Sequence, residues 1–410
     1  MQYHFLNLVG KRFFSSAMFP ISFVTFLLIF GESIISPIFS IYVNSITNNL
    51  FLTGIVLSML GIVGILVSIP MGILADKFKL KTIIMISTAT YIVTPLIYVW
   101  YPTLNGLLVA RILSSLMSTL LWCAMWSYIY SKIDPNHRGH GIGVATKAMD
   151  LGSSMAPIIG GFVALLSFLL PFYIFSAISL VALLVIFFFL PDIEQQKMDS
   201  FAYLFKKDVD ILKYIFKRYK MIILMGIVAF SIITAVGGFL PILLKQQGLS
   251  YFTIGGVISL SILPVFFLET EIGDLTDRIG RAKSMALSLV VFGLISVLFS
   301  ISIDMVLLVP LIILFGFANS FAFISFSSIM SEWSNDHDRG LLSGVRKSLM
   351  SIGVAAGPFF TGILLSFGGV QVTMAVFAAV CLTTALVFFF SKENLFEQQT
   401  TANKKVRTNG

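Results

Sequence analysis

"GDLTDRIGR" (Gly273–Arg281) follows an almost wholly apolar run, Ile254–Leu268, and sets four ionisable side chains within nine residues. "GILADKFKLK" (Gly72–Lys81) does the same behind another apolar run. Gly273 minus Gly72 is 201, and so are Asp277 minus Asp76 and Arg278 minus Lys77. The register continues: Arg138 and Arg339, Gly143 and Gly344, Gly152 and Gly353, Pro157 and Pro358, and Gly161 and Gly362 are each 201 apart. An offset held over this length means two halves of the chain built alike.

The solvent of these halves follows from composition. Of 410 residues 57% are hydrophobic and 11% charged, against about 25% charged in soluble domains. So much apolar surface cannot be hidden in one core, and the chain reads as an all-α membrane protein. A helix rising about 1.5 Å per residue crosses a ~30 Å hydrocarbon layer in around 20 residues. Apolar runs of that length predict twelve transmembrane helices over 19–46, 51–74, 82–100, 103–130, 140–166, 168–190, 221–244, 251–272, 283–302, 305–330, 341–367 and 371–391. They make two pseudo-symmetric six-helix bundles, 1–190 and 221–391, joined by a linker at 191–220 and followed by a tail at 392–410. No cleavable signal peptide is expected. Cys123 and Cys381 fall within spans and read as small packing residues, with no disulfide or metal site.

Basic residues set the orientation. Lys77, Lys79, Lys81, Arg138, Arg278, Arg281, Lys283 and Arg339 crowd the even-numbered connections, as do the lysines from Lys197 to Lys220. Both termini are therefore expected in the cytoplasm. The net charge of +8 reports topology rather than nucleic-acid binding. In the linker, Phe201, Leu204, Phe205, Leu212, Ile215, Phe216 and Tyr219 form a helical stripe, with Lys206, Lys207, Lys213 and Lys217 mostly off it. That pattern fits either an amphipathic helix on the inner membrane face or a flexible charged connection.

The two charged motifs resemble the signature of the major facilitator superfamily of secondary transporters. Gly72, Leu74, Ala75 and Asp76 match it, with Lys77 for an arginine, and Lys79 and Leu80 depart from it. Gly273, Leu275, Asp277, Arg278, Gly280 and Arg281 fit it more fully. "LGSSMAPIIGG" (151–161) is similar to the helix 5 signature of the superfamily's proton-coupled drug antiporters, with Ala156 in place of a glycine. The resemblance implies that Asp76 would reach the start of helix 11 and Asp277 that of helix 5, as latches on a closed inner side. A carboxylate at a helix N-terminus is held by free N–H groups and the helix dipole. The other reading is a solvated turn that serves topology.

Small residues in helix 5 (Gly152, Ala156, Gly160, Gly161) and helix 11 (Gly353, Gly357, Gly362) permit close approach of neighbours. Pro157 and Pro358 bend those helices.

Charges that break the repeat carry more information. Adding 201 to Glu32, Arg111, Lys147 and Asp150 gives Ile233, Ile312, Ser348 and Ser351. Central ionisable groups cost roughly 2.5–3.5 kcal/mol to insert and mark transport routes. Counting ~1.5 Å per residue puts Glu32, Arg111, Lys147 and Asp150 about 20, 18, 12 and 16 Å from the inner face. Transporters hold cargo and coupling ions at this level. Glu32, Arg111 and Asp150 are the expected proton-coupling groups. The resemblance assigns an arginine like Arg111 that role, although Ser115 stands where a glycine is expected. Lys147 and Asp150, at i and i+3, form either an ion pair or part of the site. Glu269, Glu271, Arg346 and Lys347 are expected to form gate ion pairs, with Lys147 or Asp76 as partners, or else to snorkel at the interface.

Glu32, Trp122, Trp126, Lys147, Phe239 and Asn319 are the expected cargo contacts. An aromatic cavity with one acid suits a lipophilic or cationic compound. Nucleotide-binding loops, metal-ligand clusters and nucleophile–base spacings are missing from the sequence, so no enzyme is expected and no cofactor beyond a coupling proton. The expected protein is a monomer in the lipid bilayer of a prokaryotic cytoplasmic membrane, exporting a small-molecule substrate by alternating access. The alternatives are a proton symporter taking up a nutrient or organic anion, and a receptor that moves nothing.

Overall fold

The computed structural model describes residues 18–132, 138–192, 209–210, 212–213, 216–217, 219–301, 305–332 and 339–391. Within them the chain is helical throughout, because a backbone in lipid must satisfy its own N–H and C=O groups. The first span, α1, has two limbs, Met18–Ile34 and Ser36–Thr47, bent 41° apart. Pro37 opens the second limb and donates no backbone hydrogen bond, so the helix restarts at Ile35, whose carbonyl accepts from Ile38 and Phe39. The helices that follow are α2 (Leu50–Lys77), α3 (Leu80–Trp100), α4 (Leu104–Lys132), α5 (Arg138–Leu166), α6 (Leu170–Phe189), α7 (Lys220–Gln246), α8 (Tyr251–Ile279), α9 (Arg281–Ile301) and α10 (Met305–Glu332). The last helical stretch, Arg339–Phe389, is two spans parted at Gly369 (φ 69°), namely α11 (339–368) and α12 (370–389). Ten helices are long and apolar enough to cross alone; the bent pair of α1 and the split at Gly369 raise this to twelve.

Two hydrophobic cores follow the two halves. One is built on Leu28, Ile84, Leu121, Tyr128 and Phe172. The other is built on Met225, Met285, Phe292, Phe326 and Phe388. Between them the repeat becomes visible as geometry. Asn49 caps α2 by accepting from the Phe51 and Leu52 N–H groups at 2.8 and 3.2 Å; Ser250, 201 residues on, caps α8 by accepting from Thr253 N–H at 3.1 Å.

Glycine positions show where the halves meet. A Cβ on Gly54 of α2 would lie 2.6 Å from the Pro358 carbonyl oxygen on α11; one on Gly255 of α8 would strike the Pro157 carbonyl oxygen on α5. Gly161 is pressed against Tyr251, and Gly362 against Leu50, in the same relation. Further along α2, Gly61 meets Ala355 and Gly64 meets Ser351. The same small-residue helices also seat on their own bundles: Gly152 lies on Phe26 and Phe30 of α1, and Gly353 on Ile227 and Ser231 of α7. Each pair of contacts repeats at the offset of 201.

Aromatic contacts complete the seal at the end where α2 and α8 begin. Phe168 stacks on Tyr251 (5.3 Å between centroids), the Lys245 ammonium stands 4.2 Å from the Tyr251 ring, and Phe51 meets Phe359. Toward the charged motifs, Gly72, Gly143 and Gly273 have open space where a Cβ would sit. The halves are pressed together at the end where α2 and α8 begin.

The charged motifs themselves are more helical than a turn between spans. Asp76 and Lys77 end α2, and Gly273, Asp277 and Arg278 lie inside α8. The turn proper is short. At Gly280 the backbone takes φ 101°, which a side chain opposes. Its counterpart Lys79 instead has φ −54° and ψ 117°. The lost glycine of the first motif is thus matched by a different backbone path. In the linker, Leu212 packs on Ile69 and Ile73 of α2, and Lys213 pairs with Asp210 at 3.6 Å. The remaining stripe residues before Phe216 lie outside the described residues.

Candidate functional site

Glu32, Ser36 and Ser40 recur at intervals of four and so share one face of α1, on both sides of its break. They border a cavity of ≈310 Å³ between the halves. Its walls come from Leu57 and Leu60 of α2, Arg111 of α4, Ile233, Thr234, Gly237 and Gly238 of α7, and Val354 and Pro358 of α11, with Phe39 of α1. Both bundles contribute, but Glu32 and Arg111 come from the first alone.

Arg111 places its guanidinium carbon 4.7 Å from the centre of the Phe39 ring, a cation–π contact. It faces Glu32 through space rather than as a contact ion pair. One turn inward, the Ser115 hydroxyl donates to the Leu60 carbonyl at 2.7 Å and ties α4 to α2. The residue standing for a glycine therefore braces the wall that carries Arg111. Lys347 of α11 has open space beside it yet stands within the protein body, where its ammonium faces Glu32, Cys123 and Arg346. It was expected nearer the inner gate; the length of a lysine side chain carries its charge toward the central acid.

Asp150 stands near Glu269 across the α5–α8 contact, and its Oδ2 is buried without a hydrogen-bond partner. An ion pair with Lys147 had been one expectation for both acids. Lys147 is exposed and makes no ion pair with Asp150 among the described residues.

Other expected residues fall elsewhere. Phe239 is buried and borders an apolar space inside the second bundle with Phe292, Phe315 and Phe377, so it does not reach the central cavity. The α7 helix turns Gly237, Gly238 and Thr234 to the cavity instead, and Phe239 occupies the adjacent face. Trp122 neighbours Tyr91 and Ser118 behind Glu32, while Trp126 packs partly buried against the first core. Asn319 is half-buried on α10 and does not border the cavity. Asp277 is exposed and accepts from Arg281 Nε at 2.8 Å; Arg281 reaches on to the Ser328 carbonyl. In this state it is engaged within its own bundle rather than with α5. Arg346 donates to the Ser327 hydroxyl at 3.3 Å on α10. Arg278 is exposed at the end of α8. The side chains of Asp76, Arg138 and Arg339 lie outside the described residues. Among the described residues no cluster of three metal-ligating side chains occurs.

Ser36 and Ser40 were not singled out from sequence. The signal was available as Glu-x3-Ser-x3-Ser, a polar row with helical spacing inside an apolar span.

Two six-helix halves with a shared cavity at their junction define a transporter. The Major Facilitator Superfamily profile matches residues 21–270 and 267–408, and the chain belongs to that superfamily. It is 23% identical over 376 residues to an uncharacterized MFS-type transporter of Methanocaldococcus jannaschii, covering 88% of this chain and 94% of the relative. It is 21% identical over 378 residues to the quinolone resistance protein NorA of Staphylococcus aureus, covering 90% and 94%. Among solved structures, the nucleoside transporter NupG superposes with a TM-score of 0.73 at 19% identity, covering 91% of this chain and 98% of that one. That likeness is one of fold.

Proposed function

We propose that the protein is a proton-coupled exporter of small lipophilic or cationic compounds, acting as a monomer by alternating access. In this reading it sits in a prokaryotic cytoplasmic membrane with both termini inside. The observation that carries the reading is Glu32: among the described residues it is the one acid bordering the cavity between the halves, and it makes no contact ion pair there. Such a group holds either a proton or a cationic cargo, and competition between the two is what antiport requires. Similarity along most of the chain to a protein named for quinolone resistance supports export.

Everted vesicles given an inward-acidic proton gradient should accumulate a cationic dye. Glu32→Gln, which keeps shape and removes the charge, should lower proton-driven flux at least about tenfold, equivalent to ~1.4 kcal/mol. Full proton-driven flux in that variant would remove Glu32 from the coupling role while leaving transport intact.

One observation favours a second reading. Arg111 borders the cavity with Glu32, and the basic side chain of Lys347 faces the same acid from outside the lining. A purely anionic cargo binds such a cavity best when Glu32 is protonated, and cargo and proton then travel together as in uptake symport. Proton-driven accumulation of an anionic dye by right-side-out cells, with no accumulation of the cationic dye by everted vesicles, would select that reading.

A further inference from the structure

The repeat that pairs the halves fails at chemically loaded places on the first bundle. Glu32 and Arg111 answer to Ile233 and Ile312, and Tyr91 of α3 answers to Phe292. The second half keeps the ring at that place and lacks the hydroxyl. Tyr91 is only 2% exposed, and its hydroxyl is buried without a hydrogen-bond partner. Serine and threonine can return their hydrogen to their own helix, whereas a buried tyrosine bonds beyond it. Tyr42 donates to the Tyr98 carbonyl and Tyr128 to the Pro191 carbonyl. Tyr98, also unpartnered, lies among the rings of Phe39 and Phe172.

Tyr91 differs in having an acid before it. Its ring meets Phe175 of α6 at 5.6 Å between centroids, and Phe175 is pressed against Gly31, the residue before Glu32. The charge of Glu32 acts on the phenol, with Trp122 and Ser118 of α4 beside it. Arg111, Ser118 and Trp122 stand at i, i+7 and i+11, on one stripe of α4. An indole N–H can only donate, and Ser118 Oγ donates to the Ser115 carbonyl at 3.2 Å. Of the groups around the phenol, Glu32 is the strong acceptor, since a carboxylate offers about four lone-pair directions. Arg111 of α4 and Lys347 of α11 face the same acid from their own sides.

We propose that Tyr91 is a positioning residue of the coupling site: its hydroxyl donates to the ionised Glu32 carboxylate from behind the cavity wall and so sets the pH at which Glu32 exchanges its proton. The inference rests on the reading of Glu32 as the coupling acid and adds a group on α3 that acts through it. The phenol keeps its own proton throughout, while Glu32, which borders the cavity, trades its proton with water there. A donor bound to the charged form favours that form, and a bond to an ionised group is about twice as strong as a neutral one. The bond is open in this state, as hydrogen bonds at working sites often are until they tighten in the reacting complex.

The test is infrared difference spectroscopy of the purified full chain, following the C=O band of protonated Glu32, which is identified by its loss in Glu32→Gln. In Tyr91→Phe the pH midpoint of that band should rise by about one unit, a tenfold change in proton affinity equal to ~1.4 kcal/mol. The pH profile of proton-driven dye flux in vesicles should move the same way. Tyr91→Phe should add nothing to the flux loss of Glu32→Gln. Phenylalanine already stands at the matching place in the second half, and the variant breaks no internal hydrogen bond; its melting temperature, followed beside wild type, checks folding. An unmoved midpoint in folded Tyr91→Phe, or an equal loss of flux with and without Glu32, would overturn the proposal and leave the phenol a packing group. If the midpoint moves but Glu32→Gln keeps full proton-driven flux, the pairing stands and the coupling reading falls.

Discussion

Gly54 and Gly255 have no room for a methyl group, because the carbonyls of Pro358 and Pro157 stand where a Cβ would go. The neighbouring Gly256 has open space. Overpacking a close contact costs about 1–3 kcal/mol, whereas alanine is ~1 kcal/mol better than glycine inside an open helix. Gly54→Ala should therefore lower the melting temperature by several degrees, and Gly256→Ala should leave it level or raise it, as followed by fluorescence-detected gel filtration. A Gly54→Ala protein as stable as wild type would show that the contact is looser than described. At this scale the sequence was partly legible. Glu32, Arg111 and Asp150 stood out because charge is costly in lipid. Phe239 misled because apolar residues on a lipid-bound helix look the same whether they face core, cavity or acyl chains. Ser36 and Ser40 passed unnoticed because serines are common in such helices, and hydropathy does not tell a cavity-lining serine from a packed one.

Among the helices, α5 and α8 carry the most informative contact. They are pressed together from Gly161 and Tyr251 down to the Ile158 N–H, which donates to Ser259 Oγ at 3.2 Å, and then to Asp150 and Glu269. Beyond that point Gly143 and Gly273 have space around them. Glu269→Lys turns the acid pair into opposite charges at a partly buried site. It should raise the melting temperature and slow flux, because the two bundles become harder to separate there. A variant with faster transport and lower stability would contradict this account of the pair. Helix number and span were readable from apolar run lengths, to within a few residues. The interruptions were not: the 41° bend of α1 and the lengthening of α8 through Asp277 to Ile279 depend on packing and on Gly280, not on hydropathy.

For the whole molecule, the offset of 201 held in the helix caps and inter-bundle contacts as well as in the motifs. The direction in which the cavity opens had no counterpart in the sequence, since either state satisfies the same composition. Single cysteines placed in a chain carrying Cys123→Ser and Cys381→Ser should report that direction. A thiol reagent should label Gly72→Cys readily, while a cysteine at Gly362, pressed against Leu50, should be protected. The reverse pattern would mean that the opposite state dominates in the membrane.

The paired crossings at Gly54–Pro358 and Gly255–Pro157 are bare main chain against bare main chain. Two such bearings, symmetrically placed, let one half roll on the other with no side chain obliged to change rotamer. In the alternating-access cycle proposed above, the barrier to switching would then reside in the polar links that must part on either face, with the clasps rather than the axle setting turnover.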